Sequence, residues 1–240
     1  MRYARLALVP LAALALLVVR AGAEEPPHPT FAPPPPGTVA QSQLVYLAGE
    51  AMHSQWRAIA SKKLVGSGNG TNFYQWYLSI YSIDAATYRL KYQSPANGGP
   101  LSKVTQAAGG AKMWFPVQTL QIAGVGAFVQ PGVQQLVVQS HEMAADCGSA
   151  TVTVLATNAT GTVVPAVSVR NGCDLKATVT HSSSGTVRDA IVLSGPYYNA
   201  TAPMCCPTKP KAAAVLSYRN GAWTETPKYF PFFAGKFPPQ

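Results

Sequence analysis

A strand–turn–strand pattern recurs from Phe73 onward and constrains this chain more than any other feature. Residues 73–83, FYQWYLSIYSI, place Tyr77, Ser79, Tyr81 and Ile83 on one side and Trp76, Leu78, Ile80 and Ser82 on the other. A period of two marks a half-buried strand. Asp84, Ala85, Ala86 and Thr87 then make a turn, and YRLKYQS alternates in its own right. TVTVLAT (151–157), the turn NATG and TVVPAVSV (162–169) repeat the shape. AVLSYR, Asn220-Gly221 and AWTETPKYF repeat it again. Asn-Gly between two alternating runs is a strong hairpin signal, because both residues tolerate positive φ. Further strands are expected at 113–122, 133–140, 175–181 and 187–193.

The resulting expectation is a mainly β chain: an antiparallel meander of about ten short strands, forming a sandwich or a propeller-like fragment. Irregular spacing between the hairpins disfavours a strict propeller repeat. Gly and Pro together number 41 and charged residues are only 11% of the chain, which excludes coiled coils and charge-rich helix bundles. One helix is expected, at about 41–60. There Leu44, Leu47, Ala48, Ala51, Met52, Gln55, Trp56 and Ile59 fall near a 3.6-residue period. Before it, residues 24–40 carry seven prolines, four of them consecutive at Pro33, Pro34, Pro35 and Pro36, and read as an extended linker. Residues 41–240 then form a single β-rich domain.

The N-terminus reads as an export signal over 1–23. Arg2 and Arg5 precede the apolar run 6–19, and Ala21-Gly22-Ala23 offers small residues for cleavage. The run is shorter than the roughly 20 residues that span a bilayer. The expected location is therefore extracellular or periplasmic, with membrane attachment only through an uncleaved signal. The formal charge of +9 falls by three when Arg2, Arg5 and Arg20 leave with that segment. The remaining basic residues are scattered, with no arginine-rich run or RNA-binding aromatic pattern, so no nucleic-acid role is expected.

Four cysteines, Cys147, Cys173, Cys205 and Cys206, form an even set, which in an exported chain favours disulfides. Cys147 and Cys173 flank a hairpin, which favours their pairing at a Cα separation of about 5.5 Å. That leaves Cys205 and Cys206 to each other; the alternative splits the adjacent pair, one half to each distant cysteine. Met204, Cys205 and Cys206 also present soft sulfur suited to copper(I) or to redox chemistry, but without a CxxC spacing or a nearby imidazole.

Pro203-Met204-Cys205-Cys206-Pro207, followed by a strand with Tyr218 and then Asn220-Gly221, resembles the C-terminal part of LppP/LprE-type exported lipoproteins of mycobacteria. The resemblance runs from about residue 133 to Trp223 and implies an exported, β-rich domain without assigning chemistry. The chain departs from that family in lacking a lipid-bearing cysteine, so no N-terminal anchoring carries over.

The densest polar cluster is His141-Glu142-Met143-Ala144-Ala145-Asp146. It lacks the second imidazole of the HExxH zinc pattern, although His141, Asp146 and His181 are the residue types of a metal or acid–base site. The competing reading is that His141 and Glu142 terminate a strand and Asp146 starts a turn. No G-x-S-x-G elbow is present, and nine acidic residues offer few paired carboxylates. Exposed aromatics are the other resource. Trp76, Tyr77, Tyr81, Trp114 and Trp223 are the candidates for stacking on sugars or clamping a peptide, unless they fill the sheet core instead. The expected function is an exported, non-catalytic β-domain binding a cell-envelope polymer or partner protein, with no cofactor. The alternatives are a metal-dependent exported enzyme using His141, Asp146 and His181, and a thiol-based copper or redox protein at Met204, Cys205 and Cys206.

Overall fold

The computed structural model describes residues 30–47, 55–68, 71–84, 87–94, 117–130, 132–142, 149–171, 174–183, 188–199 and 207–234. They form fourteen strands in three sheets and contain no helix. The first sheet has the order β1-β5-β4-β3-β2 and is built from β1 (Thr30–Ala32), β2 (Thr38–Val45), β3 (Trp56–Gly68), β4 (Thr71–Asp84) and β5 (Thr87–Ser94). The second has the order β14-β9-β8-β7-β6, with β6 (Val117–Gln130), β7 (Val133–Glu142), β8 (Ser149–Thr157), β9 (Val163–Asn171) and β14 (Phe232–Ala234). The third is β10 (Lys176–Thr180), β11 (Ala190–Tyr197), β12 (Lys209–Arg219) and β13 (Ala222–Thr226) in sequence order. Every pairing is antiparallel except that of β1 with β5.

Alternation makes the second sheet the middle layer. In β7, Leu136 and Val138 are buried against Val45, Trp56, Ala58, Leu78 and Ile80 of the first sheet. Val137, pointing the other way, is buried with Ile191, Leu193 and Leu216 of the third and with Leu175 just before β10. A strand apolar on both sides reads as a continuous run, here LVV, whereas outer strands read as alternation. Outer-layer β12 and β13 show that alternation: β13 buries Trp223 and Glu225 while Ala222, Thr224 and Thr226 stay exposed. The hairpin between β12 and β13 turns on Asn220 (φ 52°) and Gly221 (φ 79°), as the two-residue Asn-Gly signal requires.

Two expectations are corrected. Residues 41–45 and 56–60 of the expected helix are strand, in β2 and β3; 48–54 lie outside the described residues. In β3 the residues of WRAIA alternate, with Trp56, Ala58 and Ala60 toward the middle sheet and Ile59 on the opposite face with Tyr81 and Tyr88. Nor is 24–40 wholly a linker. From Thr30 it enters the first sheet, β1 pairing with β5 and placing Phe31 against Tyr88 (4.8 Å, stacked) and Tyr81 (4.9 Å, edge-on). The signal segment 1–23 lies outside the described residues.

Side-chain amides tie the layers together. Gln41 Oε1 accepts from the Ile122 N–H at 2.7 Å, and Gln134 Oε1 from the Tyr46 N–H at 2.9 Å, joining first sheet to second. Gln139 Oε1 accepts from the Ala177 N–H at 3.0 Å, joining second to third. Gln135 Oε1 accepts from Phe128 and Val129 N–H at 2.8 and 3.2 Å where the β6–β7 register slips, satisfying donors the ladder loses there.

Candidate functional site

The aromatics of β4 do not form one exposed row. Tyr81 is fully buried beneath Phe31. Trp76 packs on the opposite face, against the core between first and middle sheets. Tyr77 is half-buried, paired in register with Ser61. Trp223 is a core residue, edge-on to Tyr218 at 5.6 Å and tilted to Phe128 at 6.3 Å. Trp114, Asp146, Met204 and all four cysteines lie outside the described residues, and with them both disulfide pairings and the copper reading.

The two histidines of the expected metal site each have a carboxylate of their own. His141, on β7, lies 3.7 Å from Asp174 and contacts the Gln139 amide. His181, just past β10, sits 3.1 Å from Asp189 Oδ2. Glu142 closes the end of β7, accepting from the Ser149 hydroxyl at 3.2 Å with Arg170 at 3.5 Å. Among the described residues no group of three or more His, Cys, Asp or Glu could hold a metal ion.

A cleft of about 550 Å³ instead opens at the end of the sandwich between the middle and third sheets. Its wall residues include Tyr197, Tyr198, Trp223, Glu225, Tyr229 and Phe232. The chain makes this cleft by crossing from one sheet to the other. After β13, Pro227 and Pro231 cannot donate to a ladder, so the strand ends and the segment folds back. Glu225 fixes the return: its Oε1 accepts from the Phe230 N–H at 2.7 Å and the Tyr229 N–H at 3.1 Å. Phe230 is thereby driven into the core, 1% exposed, and β14 continues as the edge strand on β9.

Tyr229 stays half-buried at the rim, 5.0 Å from the Tyr197 ring. The Lys209 ammonium donates to its hydroxyl at 2.6 Å. An aromatic wall with one inward carboxylate and lysines at the mouth is the usual make-up of a small-molecule or glycan site: apolar faces supply area, and a few polar groups supply orientation. Glu225 is 5% exposed, and burial pushes its carboxyl above the ordinary glutamate value. Its two N–H donors and the Lys228 charge oppose that rise without cancelling it.

The sequence offered a signal for this site in KYFPFF (228–233), four aromatics on either side of Pro231 after a hairpin. Reading the hairpin through to Phe230 as strand hid the reversal, and Glu225 was invisible as an inward residue without the register of β13. No protein-family model, curated protein or solved structure matches the chain.

Proposed function

We propose that this chain is an exported, non-catalytic binding domain and that its cleft seats sugar rings of a cell-envelope polymer. The observation carrying this reading is the aromatic wall of Tyr197, Tyr198, Trp223, Tyr229 and Phe232 around the Glu225 carboxylate. Sugar C–H faces stack on aromatic rings, and a carboxylate accepts from sugar hydroxyls. Export is supported by the Arg2/Arg5 region, the apolar run 6–19 and the small residues before Glu24. The resemblance to LppP/LprE-type proteins points the same way.

Catalysis is the weaker reading because Glu225 is the only acid lining the cleft among the described residues, and one of its oxygens already holds the Tyr229 and Phe230 N–H groups. Glycoside hydrolysis ordinarily takes two carboxylates flanking the bond. The test is co-sedimentation with insoluble envelope polysaccharide and titration with its soluble fragments, read by tryptophan fluorescence. Binding by the parent and a loss of about tenfold or more in Tyr198→Ala and Tyr229→Ala, with circular dichroism unchanged, is the expected result. Binding that ignores both substitutions, or no binding to any envelope fraction, overturns the reading.

A further inference from the structure

β3 and β4 outgrow the sheet they belong to. β2 pairs with β3 from Trp56 to Lys62, and β5 pairs with β4 from Asp84 back to Leu78. Beyond those limits β3 and β4 pair only with each other among the described residues, Lys63 facing Gln75, Leu64 facing Tyr74 and Gly68 facing Thr71. The result is a two-stranded arm of five residue pairs, spanning 63–68 of β3 and about 20 Å long at the usual strand rise.

The arm has a definite chemistry. Lys62, Leu64, Tyr74 and Trp76 share one face by register, with Lys62 Nζ 4.7 Å from the Tyr74 ring centre and 5.7 Å from that of Trp76. Leu64 is 54% exposed and Lys63, on the opposite face, is exposed. No Asp or Glu occurs between Glu50 and Asp84, while Arg57, Lys62 and Lys63 do. Two-stranded ribbons without further strands are marginal in water, so the exposed Leu64 beside the half-buried Tyr74 ring needs a partner surface.

We propose that this arm docks on an anionic phospholipid surface. The Tyr74 ring beside Lys62, with the exposed Leu64 facing it in register, matches the bilayer interface. Rings sit at headgroup depth, ammonium groups meet phosphate, and leucine enters the acyl boundary. A purely polyanionic partner would leave Leu64 without a role, and a neutral sugar face would leave the absence of carboxylates unexplained. The inference is independent of the cleft.

The test is sedimentation of the full chain with sucrose-loaded vesicles of phosphatidylcholine alone, and with about one third phosphatidylglycerol. The neutral vesicles set the baseline contributed by the apolar run 6–19. Expected is tighter binding to the anionic vesicles, weakened by salt and reduced about thirtyfold in Lys62→Gln/Lys63→Gln. Lys63→Gln and Leu64→Ser, at exposed positions, are each expected to lose about fivefold without altering the melt. Tyr198→Ala should leave vesicle binding unchanged, which separates this inference from the cleft. Anionic-vesicle binding that persists in Leu64→Ser, or equal partition onto the soluble polyanion alginate, overturns the lipid assignment. No preference of the parent for anionic over neutral vesicles overturns the docking itself.

Discussion

Asp189 and Ala127 exchange two hydrogen bonds across the gap between the third sheet and β6: Asp189 Oδ2 accepts from the Ala127 N–H at 2.8 Å, and the Asp189 N–H donates to the Ala127 carbonyl at 3.1 Å. The same carboxylate accepts from the Ser182 N–H at 2.8 Å through Oδ1. One aspartate thus satisfies donors on two segments that no ladder joins. Its replacement by alanine strands two backbone donors, each costing about 1–3 kcal/mol where water cannot reach them. Asp189→Ala is expected to lose roughly 2–4 kcal/mol in urea unfolding, and Asp189→Asn less, because its amide oxygen keeps one acceptor.

The same geometry sets an acid limit. Burial alone raises the Asp189 carboxyl; the Ser182 and Ala127 N–H groups and His181 outweigh it, and the carboxyl sits below the ordinary aspartate value. A depressed folded value means that the unfolded chain binds protons more readily. The contribution of Asp189 is therefore complete above about pH 4 and disappears as pH falls through the folded value. Urea midpoints from about pH 2 to 6 should fall more steeply for the parent than for Asp189→Asn at the acid end. Parallel curves would refute the assignment.

Glu225 has the opposite sign. Its carboxyl is raised, chiefly by burial, so the folded protein holds the proton more tightly than the unfolded chain. The favourable contribution is complete below about pH 4.5 and is lost as pH climbs through the raised value. Glu225→Gln keeps an acceptor for Tyr229 and Phe230 without the buried charge. The expected outcome is a thermal midpoint nearly flat between about pH 4 and 7 in the variant, where the parent declines. A parent that gains stability across that interval would contradict the direction.

The outer strands β4, β5, β12 and β13 were legible in the sequence because their two faces differ, and Asp84 pairs with Thr87 across the expected turn. β8 and β9, in the middle sheet, were placed by the turn residues between them. β3 was not legible because its inward residues include Ala58 and Ala60, whose small size gives little contrast, while the four-residue spacing of Ala48, Met52 and Trp56 imitates a helix. Three-layer stacking was hidden for a related reason: the two-sided burial of Leu136, Val137 and Val138 looks like any apolar run. At the cleft, Trp223 was readable as an aromatic on a hairpin. Glu225 needed the register that turns it inward beside Trp223.

Gln139 tests the tie between middle and third sheets. It is 5% exposed, and its Oε1 is the acceptor for the Ala177 N–H across the layer gap. Gln139→Leu matches the apolar surroundings but leaves that donor buried and unpaired, costing about 1–3 kcal/mol. Hydrogen exchange offers the sharper readout. The Ala177 amide should lose protection in the variant well beyond the global change, whereas amides of the β3–β4 pairing should follow global stability only. A uniform shift at all amides would mean that Gln139 acts by filling space.

Gly195 sets how closely the start of the third sheet can approach its second strand. A Cβ there would collide with the Asp174 carbonyl oxygen, and the obstacle is backbone, which no rotamer change can move. The approach is held by Asn171, whose Nδ2 donates to the Pro196 carbonyl at 2.9 Å and the Asp174 carbonyl at 3.3 Å. Gly195→Ala must therefore spread two segments that one side chain pins together, and overpacking of this kind costs about 1–3 kcal/mol or more. Gly66 is the control, since a Cβ there meets nothing within 4 Å. Gly66→Ala is expected to leave the melt within about 0.5 kcal/mol of the parent. Adding Asn171→Ala to Gly195→Ala should cost less than the two single losses combined, because the clamp resists the spreading that the new methyl demands. Strict additivity would show that the clash is relieved elsewhere in the loop.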